Sequence, residues 1–313
     1  MTTTSLPLPS PTTSRLPVVR RLVAGAAIAG TLPYLGLKAV WLSGHPVGVI
    51  DPAVMESTSM TVLNGVTVAM DLCVIALAVA LTAAWGRRLP AAAVLLPGWV
   101  ASGLLLPIAV SVLPATLLTG SGGDGDGLAG WVRPLVYGGF AWQGAFLLVA
   151  FAFYARQRWS ETLRDAGPAP EAVRPLMAAT VAGGTVMAAL SAVLQVLYGA
   201  TSGGGAAGMI VAVGGAAFAA AGAAGVLALS RGTRTTATVV AGWSGSAAMF
   251  AWGLWSAATT MGASDLSAAG HPAYGLAQLT GLLGGFALAV AGLLALSGRT
   301  TAAHERPRGA GRV

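Results

Sequence analysis

The sequence predicts an all-α, polytopic integral membrane protein with eight transmembrane helices, and three observations lead there. Of 313 residues, 55% are hydrophobic and only 9% are charged, with a mean hydropathy of +0.76. A soluble domain is about a quarter charged, so this chain lacks the polar surface that water requires. The apolar residues gather into eight runs, each long enough to supply the roughly 20 residues of a membrane-spanning helix. The arginines then fall almost wholly in alternate connections between those runs, as loops on one side of a bilayer do.

Residues 1–14 are rich in Thr, Ser and Pro and carry no hydrophobic period, so 1–21 reads as a disordered tail. Arg20-Arg21 ahead of Leu22 resembles the start of a secretory or twin-arginine signal. The apolar run continues to Leu42, however, and further runs follow at once, which favours a first span. The predicted spans are 22–43, 59–85, 91–118, 134–155, 175–199, 207–229, 236–261 and 273–297. The third holds Pro97, Pro107 and Pro114, which predict a kink or tilt. Spans five and six are rich in Ala and Gly, which predicts close packing. A linker over 156–174 separates a first four-helix unit (22–155) from a second (175–297), and a basic tail covers 298–313.

The basic residues set the orientation. Arg15, Arg20, Arg21, Arg87, Arg88, Arg156, Arg158, Arg164, Arg174, Arg231 and Arg234, with Arg299, Arg306, Arg308 and Arg312, share one side if there are eight spans. The other side holds Arg133 with Asp51, Glu56, Asp124, Asp126 and Asp265. This places both termini in the cytoplasm of a bacterial inner membrane. The net charge of +7 and pI near 10.5 therefore point to a membrane surface and not to nucleic acid. Cys73, the single cysteine, excludes an intramolecular disulfide.

The two units look related. Arg87, Ala93, Gly98, Trp99 and Ser102 align without gaps to Arg231, Ala237, Gly242, Trp243 and Ser246, and Gly138–Ala141 repeats as Gly284–Ala287. Four spans return the chain to its starting side, so the expected four-plus-four duplication is parallel, about an axis along the membrane normal. In this register Asp71 aligns to Gly215.

Two buried charges mark the main candidate site. Lys38 is the only lysine, and Tyr34, Lys38, Trp41 and His45 share one helical face. Asn64, Thr67 and Asp71 share a face of the second span. A charge at mid-membrane costs about 2.5–3.5 kcal/mol, so such groups face the bundle interior and find partners. At 1.5 Å per residue Lys38 lies roughly 8 Å below the surface and Asp71 roughly 18 Å. They either pair, directly or through water, or Lys38 snorkels outward and Asp71 is neutral or bonds Asn64. Trp252, Ser256 and Thr259 on the seventh span form a secondary pocket candidate, against the alternative of hydroxyls bonded to their own backbone.

No metal site or cofactor is expected. His45 and His271 flank loops without ligand spacing, and Asp124-Gly-Asp126 lacks most of a calcium loop. No histidine, paired Asp motif or nucleophile–base set lies in the spans, so enzyme activity is the least expected function.

The stretch TLPYLGLKAVWLSG, through Pro33, Tyr34, Leu37, Lys38 and Trp41, resembles a group of multi-pass membrane proteins common in actinobacteria. The resemblance implies a membrane protein and no particular activity. The functional expectation is a transporter or binding protein for a small molecule or ion, with a polar site between the first two helices. The alternative is a non-catalytic partner or sensor subunit bound to another membrane protein.

Overall fold

The computed structural model describes residues 16–51, 58–119, 127–160, 169–261 and 271–298. Glu56, Asp124, Asp126, Asp265 and the expected terminal tails at 1–15 and 299–313 lie outside them. Nine helices are described: α1 (Leu16–Leu42), α2 (Thr58–Thr82), α3 (Ala91–Pro107), α4 (Leu113–Thr119), α5 (Val132–Arg158), α6 (Arg174–Thr201), α7 (Gly205–Ser230), α8 (Thr236–Met261) and α9 (Pro272–Ser297). A π-helical turn, Ile108–Val112, joins α3 to α4 into one crossing. Pro114 has no N–H to offer the Val110 carbonyl, and the backbone widens where that bond is missing.

Seven of the eight crossings are both long and apolar enough to span a membrane. The eighth, α8, matches them in length at 26 residues and carries no charged side chain. It packs on α3, α7 and α9, and Ser246, Ala247 and Ala251 are almost fully buried. Elsewhere along it Val240 and Leu254 are 57% and 44% exposed, an apolar surface of the kind a lipid-facing helix shows. The fold is thus all-α and polytopic, as the hydropathy predicts.

Two boundaries differ from the sequence reading. Leu16–Arg21, expected in the tail, form the first turns of α1. Pro17 is compatible with a first helical turn, and Arg20 fastens that turn by donating to the Leu81 carbonyl at 2.6 Å and to Gln157 Oε1 at 2.8 Å. At the start of the expected linker, α5 runs on through Arg158, whose guanidinium donates to the Leu89 carbonyl at 2.5 Å and to the Tyr154 hydroxyl. At the other end Arg174 opens α6.

Within the first half α1 packs on α5 and α2; within the second α6 packs on α9 and α7, and α8 on α7 and α9. Small residues bring the backbones together. A Cβ added to Gly225 would lie 2.3 Å from the Gly242 nitrogen, and one added to Gly245 would lie 2.2 Å from the Gly222 nitrogen. The tightest approach of the Ala/Gly-rich region therefore joins α7 to α8. In the first half Gly30 of α1 lies against the Gln143 backbone, where a Cβ would come within 2.8 Å.

The halves meet where α3 crosses α8, through a reciprocal contact. Trp99 Nε1 donates to Ser246 Oγ at 3.2 Å, and Trp243 Nε1 donates to Ser102 Oγ at 2.9 Å. Each serine in turn donates to the carbonyl of the tryptophan three residues before it. Phe250 stacks on Trp99 and Phe151 on Trp243, with ring centroids 4.7 and 5.1 Å apart. Beyond this contact α7 also reaches α3 and α4, whereas α2 makes no comparable contact with α8.

Gly225→Val and Gly245→Val are expected to destabilise the protein by about 1–3 kcal/mol or more through overpacking. Gly36→Ala, which meets open space, leaves the unfolding temperature in detergent unchanged or slightly raised. Ser102→Ala and Ser246→Ala each strand an indole N–H at the interface and are expected to cost about 1–3 kcal/mol, read by the same melts.

Candidate functional site

Two polar places lie inside the bundle. The first joins α1, α2 and α5. Lys38 and Asp71 are 6% and 4% exposed, and Asn64 and Gln143 are 5% and 1% exposed. The Lys38 ammonium donates to Asn64 Oδ1 and sits 4.7 Å from the ring centroids of both Tyr34 and Trp41. Spacing i, i+4, i+7 on α1 makes this possible: the two rings flank the cation from one turn below and one above. Trp41 is held by its own bond to the Val47 carbonyl at 2.8 Å. Tyr34 shares a side-chain hydrogen bond with Thr67, whose hydroxyl also donates to the Leu63 and Asn64 carbonyls.

Asp71 takes its hydrogen bond from a residue the sequence reading did not single out. Gln143 Nε2 donates to Asp71 Oδ1 at 3.3 Å. Asp71 Oδ2 and Gln143 Oε1 are buried acceptors without a hydrogen-bond partner among the described residues. Lys38 and Asp71 do not touch. Asn64 lies two helical turns from Asp71 on the same face, so the ammonium is held well along the axis from the carboxylate.

The second place is a cavity of about 390 Å³ between the halves. It lies toward the end of the bundle where α5, α7 and α9 begin. Ser111 and Thr116 reach it from the π turn and α4, Arg133 and Tyr137 from α5, Gln195 and Tyr198 from α6, Trp252 from α8, and Tyr274 and Gln278 from α9. Its polar groups are anchored from behind: Gln195 Nε2 donates to Ser191 Oγ at 3.1 Å, and Ser191 donates to the Ala277 carbonyl at 2.9 Å. Gly215 makes room for this amide, because a Cβ there would lie 1.8 Å from Gln195 Oε1. Tyr198 and Tyr274 lean on each other, with centroids 4.9 Å apart. The Trp252 indole N–H is buried with no partner among the described residues.

Of the secondary candidates, Trp252 lines this cavity and Ser256 shares a hydrogen bond with Tyr274 of its lining. Thr259 is buried and donates to the Trp255 and Ser256 carbonyls. His45 lies 3.4 Å from the Ser43 hydroxyl, His271 packs edge-on against Tyr198, and no cluster of three metal-ligating side chains forms among the described residues. The residues missed from sequence are the amides Gln143, Gln195 and Gln278. Each stands inside an apolar run, which is itself a signal, because polar side chains in a span face the bundle interior.

Comparison with known protein families, curated proteins and solved structures finds no match. The reading of this site therefore stands on its geometry.

A double-mutant cycle separates the contacts of Lys38. Lys38→Met combined with Asn64→Leu is expected to show a coupling above about 0.5 kcal/mol, as for residues in contact. Lys38→Met with Asp71→Asn is expected to show a smaller one. Unfolding free energies of the purified variants in one detergent check both.

Proposed function

We propose that this protein binds and transports a small organic molecule, taken from the outer side of a bacterial cytoplasmic membrane into the cavity between its two halves. The observation that carries this reading is the cavity itself. Its volume falls within the roughly 300–1,000 Å³ of small-molecule sites, which combine an aromatic wall with a few placed polar groups. Five aromatic side chains, Tyr137, Tyr198, Phe218, Trp252 and Tyr274, supply the wall. The Trp252 N–H, without a partner among the described residues, favours a ligand that offers it a hydrogen-bond acceptor, and the amides can both donate and accept.

The arginine asymmetry supports cytoplasmic termini, and hence an outward-facing cavity. The reciprocal Trp–Ser contact supports two parallel, duplicated four-helix units, because a two-fold axis along the membrane normal generates such an exchange. Transporter sites commonly lie at the interface between such repeats. In this reading the α1–α2–α5 network is the second site of the cycle, where the orphan oxygens of Asp71 and Gln143 are placed to receive a coupled cation or proton.

The test is a ligand screen by thermal shift, followed by uptake into vesicles. A molecule that stabilises the parent is expected to lose at least about tenfold in affinity in Trp252→Ala and Gln278→Ala, the scale of one buried anchor. Asp71→Asn is expected to retain binding and lose ion-driven accumulation. Stabilising ligands whose affinity ignores both cavity substitutions would overturn the reading.

A further inference from the structure

At the opposite end of the bundle, where α1 and α6 begin and α2 ends, a second cavity of about 540 Å³ is lined by Arg20, Arg21, Arg87, Gln157 and Thr82, with Pro17 and the turn after α2. Three arginines line it, and no carboxylate does so among the described residues. Arg20 is held in place by the Leu81 carbonyl and Gln157, yet its Nε is buried and has no partner among the described residues. Arg21 and Arg87 are exposed on the rim.

The Leu81 carbonyl and Gln157 Oε1 take up the two terminal nitrogens of Arg20, which leaves its Nε–H without a partner among the described residues. Arg21 and Arg87 add two more positive charges to the same cavity, a setting that favours an anion. Exposed apolar residues follow the lining residues in sequence: Val18 after Pro17 and Leu22 after Arg21 are 59% and 67% exposed, and Trp85 after Ala84 is 51% exposed. A polar end that binds anions, an apolar stripe leading away from it and an indole at the boundary together match an amphiphile whose head is anionic.

We infer that this cavity is a binding site for the phosphate headgroup of an anionic phospholipid, with Arg20, Arg21 and Arg87 on the phosphate and the acyl chains lying along Val18 and Leu22. The site is independent of the ligand cavity between the halves. It clamps the start of α1 to the end of α2, the two helices that carry Lys38 and Asp71.

The experiment is native mass spectrometry and thermal shift on the full-length protein, delipidated in detergent and titrated with phosphatidylglycerol, phosphatidylcholine or inorganic phosphate. Phosphatidylglycerol is expected to be retained and to raise the unfolding temperature, and phosphatidylcholine and phosphate are not. Arg21→Gln/Arg87→Gln leaves the Arg20 anchor intact and is expected to bind phosphatidylglycerol roughly 30-fold more weakly, from about fivefold per arginine at an anionic surface. Arg156→Gln/Arg231→Gln, an equal loss of exposed charge elsewhere on the same side, is expected to bind as the parent does. Equal retention of the two lipids, an equal loss in the control pair, or an effect reproduced by phosphate alone would each overturn the assignment.

Discussion

The architecture depends on the crossing of α3 and α8, where two tryptophans and two serines exchange hydrogen bonds. An indole N–H has no acceptor in hydrocarbon, and each unsatisfied polar group there costs several kcal/mol. Trp99 and Trp243 can be buried only because Ser246 and Ser102 stand opposite them. The contact works solely in one register and at one separation of the helices. Gly103 supplies the separation, since a Cβ on it would lie 2.1 Å from the Ala247 carbonyl. Fixing α3 against α8 fixes the two halves, and with them the space left between them.

That space follows from a local irregularity and an asymmetry. The π turn at Ile108–Val112 interrupts the third crossing at the residues that bring Ser111 to the gap. The contact of α7 with α3 and α4 has no equivalent on the α2 side. The second half is held together by Gly-on-Gly backbone contacts, as a rigid unit would be. The first half instead spends its interior on polar groups: a cation caged by two rings, an amide beneath it and a carboxylate paired with Gln143.

Much of this was legible in the sequence. Hydropathy placed the helices because backbone satisfaction in lipid leaves few alternatives. The shared Gly-Trp-x-x-Ser register was read as a sign of duplication; that its two copies touch appears only in the structure. Tyr34, Lys38 and Trp41 showed as one face because a single helix fixes their geometry. The partners of the charges were less legible. Lys38 meets Asn64 and Asp71 meets Gln143 because of how three helices pack, which spacing along one helix does not encode. The cavity between the halves was hardest to foresee, since its lining comes from six crossings and its amides are single residues in long apolar runs. The start of α1 was missed because Leu16–Arg21 has no hydrophobic period; contacts to Leu81 and Gln157 hold it helical.

The central claim, that the space between the halves opens outward to solutes, is tested most directly by thiol labelling in intact cells. Cys73 is exposed on α2 and is first replaced by Ser; Gln278→Cys then sets one thiol in the cavity wall. A membrane-impermeant maleimide added outside is expected to label it, and a ligand that stabilises the protein is expected to slow the labelling. A thiol at this position that reacts only from the cytoplasmic side, or not at all in a folded protein, would contradict the account.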